Sequence, residues 1–105
     1  MSESEFLESA ETTLAAIERA VDATDIDIEA SRAGNVLTLE LGNGTKVIVN
    51  SQAPMQQIWV AGKSGAFHYA RSGERWLDTR DGSELFAALS RLISAQSGEA
   101  IVLRG

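Results

Sequence analysis

A chain of 105 residues with 44% hydrophobic and 23% charged side chains has the balance of one soluble globular domain, spanning 1–105, with a single core. It has no cysteine, which excludes disulfides, thiolate zinc sites, cysteine-ligated iron–sulfur clusters and a cysteine nucleophile. No apolar run nears the roughly 18–20 residues that span a bilayer. The acidic start, Met1 to Phe6, is unlike a basic targeting segment, so a cytoplasmic location away from membranes is expected.

The net charge of −6 is unevenly distributed. Residues 1–31 hold nine acids against one base, Arg19, whereas 32–105 hold six acids and eight bases. Such a front end repels a phosphate backbone, so nucleic acid is not an expected partner. Metal cations and basic protein surfaces are.

From Ser4 to about Ala23, Phe6, Ala10, Leu14, Ile17 and Val21 form one apolar stripe at helical spacing, with Ser2 or Ser4 as the cap. Alternation from Ile26 to Ala30 predicts a first strand. Val36–Leu41 and Thr45–Val49 flank Asn43-Gly44, a hairpin signal. A two-residue turn there sets Leu39 against Ile48, and gives Leu37, Leu39, Leu41 and Ile48 the core face. Val47 and Val49 then join Thr38 and Glu40 on the other face. Further strands are expected over Gln56–Ala61, Ala66–Arg71 and Glu74–Leu77. Asp81, with Glu84 three residues on, predicts the capped start of a second helix that ends at Gly98. The apolar tail Ala100–Leu103 is expected to pack as an extended segment. The order predicts an α+β fold, a two-layer sandwich with two helices on one face of a five- to six-stranded antiparallel sheet.

On the first helix, Glu8, Glu11, Glu18, Asp22 and Asp25 fall within a sector of roughly 100°, and Asp27 and Glu29 extend it toward the first strand. Two readings of this edge stand: a solvated acidic face, or weak oxygen ligation of hard cations and docking onto a basic partner. By alternation Trp59 faces outward beside Gln57, either lying on its neighbours or forming a binding hot spot with Asn50 and Gln52. Trp76 reads as core. His68, the single histidine, lies between Phe67 and Tyr69 and reads as exposed. One histidine cannot build a multi-histidine metal site, and no Gly-x-Ser-x-Gly element or carboxylate cleft suggests an enzyme.

The segment Asn50-Ser51-Gln52-Ala53-Pro54-Met55-Gln56-Gln57-Ile58-Trp59-Val60-Ala61, with Gly65-Ala66-Phe67-His68-Tyr69 and Trp76-Leu77-Asp78, resembles the frataxin family in its bacterial branch. Ser4-Glu5-Phe6 and the Leu37–Gly44 hairpin fit as well, so the resemblance covers nearly the whole chain. It implies a non-enzymatic, iron-binding regulator of iron–sulfur cluster assembly that contacts the cysteine desulfurase and scaffold protein. It further implies weak binding of ferrous or ferric iron on an acidic ridge, here Glu18, Asp22 and Asp25 with Glu8, Glu11, Asp27 and Glu29. Asn50, Gln52, Gln57, Trp59 and His68 match partner-contact positions on the sheet. Arg19 and Ala23 stand where bacterial relatives often carry further acids, which thins the ridge. A monomer is expected. An iron donor or store is the alternative reading, followed by a ferroxidase or a haem carrier using His68.

Overall fold

A computed structural model describes residues 1–105. Helix α1 (Glu3–Asp22) is followed by six strands and then helix α2 (Leu85–Ser97). The strands are β1 (Ile28–Ala33), β2 (Val36–Leu41), β3 (Lys46–Gln52), β4 (Gln57–Gly62), β5 (Gly65–Ser72) and β6 (Arg75–Asp78). They form an antiparallel meander in chain order. Both helices cover one face of this sheet, as the element order predicts, and the other face is open.

α1 starts where Ser2 accepts a hydrogen bond from the Glu5 amide and the Glu5 carboxylate accepts one from the Ser2 amide, a reciprocal cap. Its buried stripe is the predicted one: Phe6, Ala10, Leu14, Ile17 and Val21. These pack with Leu37, Leu39, Val47, Val49, Ile58, Val60, Leu89 and Ile93 into one core. Trp76 is buried as expected, meets the Phe6 ring edge-on at 5.9 Å, and donates its indole N–H to Thr13 at 2.9 Å. A buried indole N–H without such an acceptor would cost free energy comparable to a lost hydrogen bond.

Two expectations are corrected. The β2–β3 turn holds three residues, Gly42-Asn43-Gly44, closed by the Leu41 amide donating to the Thr45 carbonyl at 2.8 Å. A two-residue type I′ turn needs positive φ at both Asn43 and Gly44, and only Gly44 has it, at 86°. Asn43 is held instead by one tertiary and one local contact: its side chain donates to the Gln96 carbonyl at 2.9 Å and accepts from the Thr45 amide at 3.0 Å. The register shifts by one residue, Leu39 faces Val47, and every side chain of β3 changes sides. Val47 and Val49 are fully buried, and Ile48 is on the open face with 37% of its surface exposed.

The second correction concerns α2. Residues 79–84 do not begin the helix, because Leu77 bridges Glu84 in antiparallel fashion and the Asp78 amide donates to the Ser83 carbonyl. Asp81 caps only this turn, accepting from the Ser83 amide at 2.9 Å. Glu84 itself caps α2 through bonds from the Phe86 and Ala87 amides. The end at Gly98 is as expected, with φ of 79° in the left-handed region. The tail packs along α2, where the Ser94 and Ser90 hydroxyls accept the Ile101 and Leu103 amides.

Candidate functional site: an acidic helix edge and an open sheet face

Glu8, Glu11, Glu18 and Asp22 project from α1, Asp25 and Asp27 follow in the connection to β1, and Glu29 sits on β1. All are exposed except Glu18, which is half-buried. Asp27 packs beside Gly42, where an added Cβ would lie 2.8 Å from its carboxylate oxygen. The alternation of β1 then divides the set. Ile28, Ala30 and Arg32 face the helices, whereas Glu29 lies on the open face opposite Glu40, which is itself opposite Lys46 on β3.

The helical acids are not free of cations. Arg32, on the helix side opposite Leu37, reaches the carboxylates of both Glu11 and Glu18, the latter at 3.1 Å. Seven residues is close to two helical turns, so Glu11 and Glu18 share a face and one guanidinium can span them. Burial opposes the charge on Arg32, but the hydrogen bonds and negative charge of Glu18 and Glu11 prevail and raise its pKa above the ordinary arginine value. No three Asp, Glu or His side chains converge on one point anywhere in the fold. A cation at this edge would meet one or two carboxylates, with water left to complete its shell. These residues fit loosely held iron and not a rigid chelate.

On the open face, Asn50, Trp59 and His68 form one row across β3, β4 and β5. Gln52 and Gln57 pair in the next row. Trp59 is half-buried, with its ring stacked on His68 at 4.3 Å and 12° between planes. Its indole N–H donates to the Gln57 side-chain oxygen at 2.8 Å. Trp59 thus faces outward as its alternation predicts, and it is also pinned from two sides. Ile48 and the half-buried Val36 and Leu77 add apolar area to the same face. The sheet brings all five expected contact residues onto one surface, whereas the seven acids span two.

Arg32 and the Trp59–His68 stack are the parts that reading along the chain misses. Arg32 lies two residues beyond the expected end of the first strand. Continuing the alternation from Ile28 through Ala30 would have placed it under α1.

The model of the Frataxin-like domain matches residues 1–99 of this chain. The chain belongs to the frataxin-like family. Among its relatives, the iron-sulfur cluster assembly protein CyaY of Cupriavidus necator is 58% identical, with 98% of this chain and 96% of the relative aligned. The protein of the same name from Herminiimonas arsenicoxydans is 56% identical over 99% of this chain and 97% of its own. In three dimensions the fold matches the frataxin of Psychromonas ingrahamii with a TM-score of 0.92 and 34% identity, over 100% of both chains. A trimeric frataxin from Saccharomyces cerevisiae, solved complexed with ferrous iron, matches at a TM-score of 0.63 and 25% identity, over 94% of this chain and 88% of that one. The frataxin-like fold accounts for the two-helix, open-sheet arrangement. Within it, the pairing of Arg32 with Glu11 and Glu18 is read from this chain's own side chains.

Proposed function

We propose that this frataxin-like chain regulates iron–sulfur cluster assembly. It binds ferrous or ferric iron weakly along the α1 edge and docks on the cysteine desulfurase and its scaffold protein. Glu8, Glu11, Glu18, Asp22, Asp25, Asp27 and Glu29 supply the negative charge. Asn50, Gln52, Gln57, Trp59 and His68 form the contact face. The observation that carries this reading is the open face: an aromatic pair ringed by amides, in a chain more than half identical to relatives named for iron–sulfur cluster assembly. Hot spots are enriched in tryptophan held within a rim of near-neutral contacts.

Regulation is favoured over chemistry, because carboxylates that do not converge offer no fixed geometry for a redox step. Delivery of stored iron would call for tighter ligation than one or two exposed carboxylates give. A haem-carrying role for His68 is disfavoured because it is the chain's one histidine and lies on an open sheet face, with no enclosing pocket of apolar side chains around it. The chain acts as a cytoplasmic monomer in this reading, and no helix is long and apolar enough to cross a membrane.

An amide-resolved NMR titration with ferrous iron and, separately, with the desulfurase–scaffold complex tests the proposal. Iron is expected to shift α1 and the α1–β1 connection, and the complex to shift the row from Asn50 to His68. An inert sheet face in the second titration overturns the docking assignment. An inert α1 edge in the first overturns the iron assignment.

A further inference from the structure

A cavity of about 330 Å³ opens between α2, the β4–β5 hairpin and the loop after β6, away from both surfaces above. One side is apolar: Val60, Phe67, Ala88, Leu89 and Leu92. The other carries Tyr69, Asp78, Asp81, Ser83 and Arg91. Tyr69 and Asp78 are register partners on β5 and β6, and only 2% and 8% of their surfaces are exposed.

Both retain bonding capacity. One Asp78 oxygen accepts the Arg80 amide at 2.7 Å and the Asp81 amide at 3.4 Å, and its other oxygen has no partner. The Tyr69 hydroxyl bonds to no group of the chain. Since no sealed side-chain polar atom in the protein lacks a partner, both atoms are open to the cavity. Asp81 accepts from the Ser83 amide and lies beside the Ser83 hydroxyl, and its exposed carboxylate keeps further acceptor capacity. Arg91, exposed on α2, is the one base lining the cavity and makes no ion pair with either aspartate. Two carboxylates against one guanidinium leave a net negative wall facing an apolar one. Pockets of this size commonly take small molecules, with a few polar groups setting orientation.

We propose that this cavity binds a small organic cation with a ring-sized apolar body, its ammonium head on the free oxygen of Asp78 and the carboxylate of Asp81, and a lone pair or π-face of its body toward the Tyr69 hydroxyl. Asp78 is the anchor, because it is the more buried carboxylate and its orientation is fixed by two backbone amides. The apolar body lies against Leu89, Leu92 and Phe67. This site is separate from the iron edge and the sheet face, so either assignment can fail without the other.

The test titrates the full chain with tryptamine and, in parallel, with indole-3-propionate, following amide shifts. Tryptamine is expected to shift residues around Tyr69, Ser83 and Leu89, and the carboxylate analogue to leave them in place. Asp78→Asn keeps the oxygen that accepts the two amides and removes the charge, and it is expected to weaken tryptamine about tenfold or more. Asp81→Asn, at an exposed position, is expected to give a smaller loss and guards against misfolding of the first variant. Equal binding of the propionate, unchanged tryptamine affinity in both variants, or tryptamine shifts confined to the α1 edge would each overturn the proposal.

Discussion

Trp59 and His68 face each other across β4 and β5, and their rings lie parallel at 4.3 Å on the open side of the sheet. The pair is a ready-made aromatic platform. Cross-strand aromatic pairs contribute roughly 0.2–1 kcal/mol relative to Ala–Ala. A double-mutant cycle with Trp59→Ala and His68→Ala is expected to give a coupling energy in that range by urea denaturation. Trp59→Ala should leave the fold standing yet lower affinity for the desulfurase–scaffold complex by roughly 2 kcal/mol or more, measured by calorimetry. Unchanged affinity would remove Trp59 from the contact surface.

Arg32 alters what the acidic edge should do to stability. Like charges at i,i+4 cost roughly 0.2–0.5 kcal/mol per pair, so Asp22→Asn, which relieves Glu18, is expected to stabilise by about that much. Glu18→Gln should bring no such gain, because it also removes the charge that pairs with Arg32 at 3.1 Å. Arg32→Gln should lower the melting temperature slightly at low salt and tighten calcium binding, since Glu11 and Glu18 lose their internal cation. Melting curves with and without millimolar calcium, at matched ionic strength, read both effects. A larger calcium-induced rise in the unsubstituted chain than in Arg32→Gln would contradict internal competition.

How much of this was legible in the sequence differs by element. The helices, the strand order and the outward side of Trp59 follow from periodicity, because each apolar stripe needs a core and can find it in only one way. The β3 register did not follow: Asn43-Gly44 carries a local turn preference, and the decisive contact, Asn43 to the Gln96 carbonyl, spans 53 positions. The acids were legible as charges and not as a site, because their cation, Arg32, comes from a neighbouring strand. The α2 start was misplaced by a real cap of the wrong segment, since Asp81 does accept an amide two residues on.

Register is testable by a paired truncation. Val47→Ala removes two buried methyl groups, and at about 0.8 kcal/mol per buried methylene equivalent it should cost roughly 1.5–2 kcal/mol. Ile48→Ala should cost clearly less, because that side chain is already over one-third exposed. Chemical denaturation compares the two. The reverse order would restore the two-residue turn.

The single tyrosine offers a clean alkaline titration. Burial, with the nearby charges of Asp78 and Asp81, pushes the Tyr69 hydroxyl from 10.0 up to about 12. Between these values the unfolded chain has lost the phenolic proton and the folded chain has kept it, so this group's contribution to stability falls as pH rises from about 10 to about 12. Tyrosinate absorbance is expected to rise near pH 12 in the native protein and near pH 10 in urea. Tyr69→Phe should show a flatter loss of stability over that window. A native midpoint near 10 would mean that the phenol is fully hydrated.

The grouping of charge along the chain becomes a grouping in space. The first 31 residues carry nine acids and one base and build α1 and the start of the outermost strand, so the negative pole sits at the β1 border. At the far border, on β5, β6 and the turns beside them, Arg71, Arg75 and Arg80 are offset by Glu74, Asp78 and Asp81. The negative excess is therefore one-sided, and a basic surface turns that side toward itself before any atoms touch. Added salt should therefore slow its capture by such a surface far more than it hastens escape, because steering acts on the approach and the short-range contacts hold afterwards.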